Sequence, residues 1–141
     1  TITPTANSCV GLPIVVNVTV NPTPVVSNIE ETFCTGSTMA VAPVDGNGNI
    51  LPTGTLYTWT VSAGAVTGAT DNPTTAAAFL ADALVNPTSS PIDVTYTITP
   101  EYTYQGITCT GTPFDYVVTV NPTPTGTRCL PNSPVPRPPR W

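Results

Sequence analysis

One seven-residue segment occurs twice in this chain, first as Val18-Thr19-Val20-Asn21-Pro22-Thr23-Pro24 and then as Val118-Thr119-Val120-Asn121-Pro122-Thr123-Pro124. The two copies are identical and lie 100 residues apart. The match extends upstream at the same offset, where Cys9-Val10-Gly11-Leu12-Pro13 aligns with Cys109-Thr110-Gly111-Thr112-Pro113. A fixed period indicates a repeat array, and a period of about 100 residues is the size of one small β domain.

The repeat predicts how the chain is divided. Further upstream, Thr1-Ile2-Thr3-Pro4 aligns with Thr97-Ile98-Thr99-Pro100 at an offset of 96, so the second copy has four extra residues before its cysteine. We therefore expect residues 1–24 to be the terminal strands of a preceding repeat, 25–124 to be a complete repeat, and 125–141 to be an extended Pro- and Arg-rich tail. Because the chain starts inside a repeat, we expect a mature or excised piece.

Charge is distributed unevenly along the chain. The net charge is −5, and all three basic residues (Arg128, Arg137 and Arg140) lie in the last 14 positions. The remaining surface is acidic, which disfavours nucleic acid and anionic membrane as partners. No stretch approaches 18 consecutive apolar residues, so the sequence predicts no membrane insertion.

The composition also bears on catalysis. The chain has no His and no Lys, so it cannot form a Ser–His or Cys–His dyad or a lysine Schiff base. Glu30 and Glu31 are adjacent and would point to opposite faces of a strand, which does not suit a glycosidase pair. We expect a non-enzyme that needs no cofactor.

Alternating apolar residues predict an all-β antiparallel sandwich. The pattern favours strands at 10–20, 25–28, 38–44, 55–61, 92–99 and 114–120, with Trp59 packed in the core rather than exposed as a carbohydrate platform. Residues 74–85 are ambiguous, because an Ala-rich run of good helix propensity lies among strands. We predict a strand near 75–80 followed by a turn. The expected core is Tyr57, Trp59, Val61, Val94, Tyr96, Ile98, Phe114, Tyr116 and Val118.

The four cysteines have no metal-binding spacing. Cys34 and Cys109 lie near opposite ends of the complete repeat, so we predict a disulfide between them, worth roughly 4 kcal/mol on the chain-entropy model. Cys9 and Cys129 would then remain for an intermolecular bridge. The alternative is four buried free thiols.

Two short segments are candidate binding sites. Asp45, Asn47 and Asn49 place oxygen side chains at alternate positions between glycines, like the front half of a calcium loop. The later bidentate Glu of such a loop is absent, and the alternative is a plain turn. Residues 101–106 extend a hairpin, and they place Tyr102 and Tyr104 near its tip as possible ligand contacts.

Four motifs in order resemble the PKD-like repeats of very large bacterial surface proteins, which often end in a gliding-motility-associated sorting domain. They are Tyr-Thr-Trp-Thr-Val (57–61), Thr-Tyr-Thr-Ile-Thr-Pro (95–100), Cys-Thr-Gly-Thr-Pro (109–113) and Val-Thr-Val-Asn-Pro-Thr-Pro (118–124). The resemblance covers about residues 1–124. It implies an Ig-like β-sandwich, an extracellular cell-surface location, and a role as stalk, adhesin or fibre, with no catalytic residues to transfer.

Two functions remain open on sequence. The first is a structural repeat that assembles with copies of itself head-to-tail into a filament, since the Val/Ile strand at 10–20 needs a cover. The second is an adhesin domain that binds glycans or other surface proteins through the two hairpin tyrosines. The tail at 125–141 is read either as a docking peptide or as an artefact of the gene model.

Overall fold

The computed structural model describes residues 1–78 and 80–124. Within these residues all regular secondary structure is β, so the predicted all-β class is confirmed. The strands in chain order are β1 (Thr5–Ala6), β2 (Cys9–Val10), β3 (Ile29–Cys34), β4 (Thr38–Val41), β5 (Leu56–Ser62), β6 (Asn72–Ala77), β7 (Leu80–Ala83), β8 (Ile92–Tyr104), β9 (Ile107–Thr110) and β10 (Phe114–Asn121).

The complete repeat is a two-layer sandwich. One layer is a six-stranded sheet of order β3-β10-β8-β5-β6, with β9 paired onto β8, and the other is the β4-β7 pair. β3 runs parallel to β10, whereas the other pairs are antiparallel. Strict alternation along β8 and β10 explains the layering, because every second side chain faces the same side of a sheet.

The core lies between the layers and is centred on β8 and β10. Phe114, Tyr116 and Val118 on β10 lie directly opposite Ile98, Tyr96 and Val94 on β8, and all six are almost fully buried. The rings of Tyr96 and Tyr116 have centroids 6.3 Å apart. The predicted core is therefore confirmed, except that Val61 is half-buried at its margin. The second layer contributes Met39, Val41, Leu80 and Leu84.

Several predicted strand bounds need correction. Residues 10–20 do not form a regular strand: β2 ends at Val10, and beyond it only Ile14 makes an isolated bridge, to Ile2. The prediction at 25–28 reduces to a bridge from Val25 to Ile50. The ambiguous segment at 74–85 contains parts of two strands, β6 and β7, which pair in different sheets.

The first 14 residues pair as residues 97–114 do. Gly11 N donates to the Pro4 carbonyl over 2.8 Å, and Gly111 N donates to the Pro100 carbonyl over the same distance. Every paired position in the first segment has its partner pair in the second. The matched pairs are Ile2↔Ile14 with Ile98↔Phe114, Thr5↔Val10 with Glu101↔Thr110, and Ala6↔Cys9 with Tyr102↔Cys109.

The four extra residues of the second copy lengthen its hairpin by two cross-strand pairs, Thr103↔Thr108 and Tyr104↔Ile107. Both hairpins close with two residues at positive φ: Asn7-Ser8 in the short one and Gln105-Gly106 in the long one. Positive φ at both central positions is the signature of a type I′ turn, whose twist matches that of the flanking strands. The second copy thus has the longer hairpin that the sequence predicts, but the extra pairs lie within residues 103–108 rather than 101–106, because Glu101 and Tyr102 have counterparts in Thr5 and Ala6.

Candidate functional site

The predicted disulfide between Cys34 and Cys109 is wrong, because the two residues lie at opposite ends of the sheet. Cys34 is beside Asn121 at the end of β10, next to the start of β8, whereas Cys109 is beside Tyr102 near the end of β8. About ten residues of β8 separate these levels, or roughly 30 Å at about 3.3 Å per residue. A disulfide needs Cα atoms within about 7 Å. Both thiols are free.

The predicted bridge between Cys9 and Cys129 involves one residue inside the described part of the chain and one outside it. Cys9 is a free, exposed thiol on β2. Cys129 lies outside the described residues, so the intermolecular Cys9–Cys129 bridge stays a prediction. Exposure of Cys9 and Cys34 also contradicts the alternative of four buried thiols.

In the candidate calcium loop, side-chain oxygens accept hydrogen bonds from backbone amides. Asp45 Oδ1 accepts a hydrogen bond from Leu51 N over 2.9 Å, and Asn49 Oδ1 accepts one from Ser27 N over 3.0 Å. Asn47 has a φ of 51° between two glycines that also have positive φ. These contacts are those of a turn stabilised by Asx side chains. No cluster of three or more His, Cys, Asp or Glu side chains suited to a metal occurs among residues 1–78 and 80–124.

The two hairpin tyrosines lie where the sequence predicts. Tyr102 is half-buried and pairs with Cys109, whereas Tyr104 is 44 % exposed and flanks the turn opposite Ile107, which is 63 % exposed. Positions 102, 104, 107 and 109 share one face of the hairpin by alternation. The tip therefore presents a small apolar and aromatic surface to solvent.

The linker of the first copy runs along this hairpin. Asn21 Nδ2 donates to the carbonyl oxygen of Tyr104 over 3.4 Å. Pro24 is almost completely buried, and a Cβ added at Gly111 would overlap the Pro24 carbonyl and lie 2.9 Å from Pro100 Cγ. The linker is thus seated against the hairpin from its tip to its base.

The linker of the second copy lines a groove at the opposite end of the sandwich. The groove has a volume of about 560 Å³, within the roughly 300–1,000 Å³ range of protein binding pockets. Four proline rings contribute to its walls. Its lining is Pro87, Thr88, Ser89, Pro91, Asn121, Pro122, Thr123 and Pro124.

One loop holds this groove in place. Asn86 is buried, and its Nδ2 donates to the carbonyls of Ser90 and Val120 over 2.8 Å each. Its Oδ1 accepts hydrogen bonds from the backbone N and the hydroxyl of Thr88. The side chain therefore fixes the 87–91 turn to the last residues of β10.

A buried acid was missed by sequence reasoning. Asp82 is 6 % exposed, and it accepts hydrogen bonds from the Tyr96 hydroxyl, Thr70 N and Thr70 Oγ1 over 2.8–2.9 Å. Burial and this hydrogen bond raise the pKa of Tyr96 above its usual range. The alternation of Leu80 and Asp82 on β7 with Leu84 just after it was the available signal, since it places the acid on the apolar face.

Tyr116 on β10 is also hydrogen-bonded to an acid, which lies on the neighbouring edge strand β3. Its hydroxyl donates to Glu31 Oε2 over 2.7 Å, and burial together with this contact raises the pKa of Tyr116. In the described part of the chain no buried side-chain nitrogen or oxygen lacks a hydrogen-bond partner. The inward-facing polar groups are therefore used by the fold, and the surfaces left for partners include the hairpin tip, the groove and the exposed residues 14–20.

The two-layer architecture is that of an Ig-like β-sandwich module. The PKD-like domain family model matches residues 31–124, more than half of the chain, and the chain belongs to this family. No curated protein and no solved structure gives a significant match. The described residues contain no helix of the length and apolar character that a membrane span requires.

Proposed function

We propose that this chain is a non-catalytic structural segment of a bacterial cell-surface protein, in which PKD-like units assemble head-to-tail. Membership of the PKD-like family supports a structural or adhesive role, and domains of this family are commonly extracellular. The observation that carries the proposal is the exposed apolar segment at residues 14–20.

Residues 14–20 alternate like a central strand, but their apolar side chains are not packed against another layer. Val18 and Val20 are 77 % and 84 % exposed, whereas their counterparts Val118 and Val120 are fully buried. Burying one such side chain stabilises by about 1.5–3 kcal/mol. Covering the four apolar residues at 14, 16, 18 and 20 is therefore worth on the order of 6 kcal/mol, before the entropy cost of association.

A neighbouring copy can provide the missing surface. β3 and β6 each pair on one side only in the described sheet, so they present open backbone edges. An extended segment adds to such an edge by main-chain hydrogen bonds, with alternate side chains covered by the partner. A contact between the first residues of one copy and the sheet edge of the next is head-to-tail and propagates unless it closes into a ring.

Light scattering over a concentration series, combined with hydrogen exchange, tests the assembly. We expect the particle mass to rise with concentration while the amides of residues 14–20 gain protection. Val18→Asp should weaken assembly strongly, whereas Thr19→Asp adds the same charge on the opposite face and should weaken it less. A monodisperse monomer at high concentration with residues 1–24 already protected would overturn the proposal.

The exposed hairpin tip favours a second candidate, an adhesin domain. Tyr104 and Ile107 are exposed side by side, and aromatic residues are enriched in binding surfaces. A glycan array that compares the native chain with Tyr102→Ala and Tyr104→Ala variants tests this role. Binding that both substitutions abolish would support it, and no binding by the native chain would reject it for glycans.

A further inference from the structure

We propose that the groove between residues 87–91 and 121–124 receives the tip of the β8/β9 hairpin of an adjoining PKD-like unit. This inference rests on the proposed function, since it needs two units joined end to end. It identifies the two surfaces that set the joint, a proline-lined groove at one end of the unit and an aromatic tip at the other.

The linker of the first copy contacts the hairpin tip where the chain enters the following unit. Asn21 lies at the tip of the long hairpin, where its side-chain amide donates to the Tyr104 carbonyl. Asn21 is the repeat counterpart of Asn121, which is the last residue of β10. The hairpin tip of one unit therefore lies at the position where β10 of the unit before it ends.

The groove lies at the end of the unit where β10 stops. In the complete unit Asn121 is part of the groove wall, beside the 87–91 turn that Asn86 ties to Val120. A unit that ends at Asn21 would carry the same turn beside it. The repeat relation between Asn21 and Asn121 thus places the hairpin tip of the following unit at the mouth of this groove.

The chemistry of the two surfaces matches. The tip carries Tyr104 and Ile107 on one face, both exposed, and the groove walls carry Pro87, Pro91 and Pro122. Aromatic and proline rings pack as flat apolar surfaces and lose little conformational freedom on contact. The short hairpin at residues 5–10 lacks both tip residues, so the four extra residues of the long hairpin supply this contact.

The experiment duplicates residues 25–96 ahead of Thr1 in the full chain. Thr1 then occupies the place of Thr97, and two complete units are joined by the native Asn21-Pro22-Thr23-Pro24 linker. Peptide mass spectrometry measures how fast tetranitromethane modifies Tyr104, and hydrogen exchange on the same sample follows residues 14–20. We expect Tyr104 to react several-fold more slowly than in the unfused chain, and residues 14–20 to become protected.

Two substitutions in the added segment make the test specific. Ser89→Trp fills the groove and should restore the Tyr104 reaction rate, whereas Ser62→Trp introduces the same bulk at an exposed position elsewhere and should not. Protected residues 14–20 with an unchanged Tyr104 rate would overturn the groove contact and leave the repeat assembly standing. Unprotected residues 14–20 would show that the added segment does not complete a unit, and they would overturn the end-to-end joint. The assembly of separate copies is decided by the light-scattering experiment.

Discussion

Asp82 is a buried carboxylate whose partners are a hydroxyl, a backbone amide and a second hydroxyl, with no cation among them. Asp82→Asn keeps the shape but turns an acceptor into a donor facing Tyr96 or Thr70. Hydrogen bonds to a charged group are worth about 1.5–3 kcal/mol, and an unsatisfied buried group costs a similar amount. We therefore expect Asp82→Asn to destabilise the fold by about 2–3 kcal/mol, measured as a lower denaturant midpoint at constant slope.

Asp115→Asn is the matched control, because Asp115 accepts a hydrogen bond from Thr97 Oγ1 on the solvent side of the six-stranded sheet, away from the core that Asp82 faces. Its cost should stay within about 0.5 kcal/mol. Equal losses for the two variants would show that burial of Asp82 is not the cause. A double-mutant cycle with Tyr96→Phe would then measure the coupling directly.

The packing of the Asn21–Pro24 linker against the hairpin depends on Gly111. A Cβ there would overlap the Pro24 carbonyl, so Gly111→Ala should push the linker off the hairpin at a cost of about 1–3 kcal/mol. Gly11→Ala is the matched control at the equivalent position, where the nearest atom is Pro4 Cγ at 3.0 Å and can shift. Thermal unfolding of both variants tests this. Equal melting temperatures would contradict the packing of the linker against Gly111.

At the scale of the element, the Trp59 side chain links β5 to the segment before β6, in addition to the pairing of β5 with β8. Trp59 is 7 % exposed, and its Nε1 donates to the Thr70 carbonyl over 2.8 Å, which joins β5 to the segment before β6. Trp59→Ala leaves a cavity and an unpaired carbonyl, and it should cost roughly 3–5 kcal/mol. Calorimetry or denaturant unfolding measures this loss. A fall in melting temperature of only a degree or two would mean that the ring contributes little to the core.

How well an element could be predicted depended on whether its partners are present. β8 and β10 alternate strictly and find partners on both sides, so pattern and structure agree. Residues 14–20 alternate just as well, but an extended segment gains little without neighbours, so they form no strand. Alternation reports the face that a residue would present, and pairing decides whether the strand forms.

The disulfide prediction failed because of strand direction. Sequence separation shows that Cys34 and Cys109 lie near the ends of one repeat, but it does not show that β3 runs parallel to β10. The parallel pairing places Cys34 beside the end of β10, whereas Cys109 precedes the start of β10 at the other end of the sheet. The tyrosines at the hairpin tip were predictable because turn and insertion are local, whereas the groove needed tertiary contacts between the 87–91 turn and the end of β10.

For the molecule as a whole, three buried tyrosines determine the response to alkali. Burial raises the pKa of Tyr57, Tyr96 and Tyr116, so the folded chain keeps protons that the unfolded chain releases above about pH 10. Unfolding then releases protons, and stability falls as the pH rises. We expect the melting temperature to fall progressively as the pH rises above about 10.

Tyr96→Phe and Tyr116→Phe should each reduce the slope of melting temperature against pH, whatever they do to the absolute stability. The slope, measured by scanning calorimetry in alkaline buffers, separates ionisation from the loss of a hydrogen bond. An unchanged slope in the double variant would assign the alkaline loss to other groups.

The parallel pairing of β3 with β10 determines how a unit would respond to being pulled. The chain enters beside Pro24 at one end of the sheet and leaves after Asn121 at the other, and β3 and β10 run side by side in the same direction over six residue pairs. Tension applied through the two linkers would draw the strands past each other along their length. The ladder is then loaded in shear, with its hydrogen bonds sharing the force together instead of opening one after another. We therefore expect a unit pulled through its two linkers to resist unfolding more than a ladder that opens pair by pair.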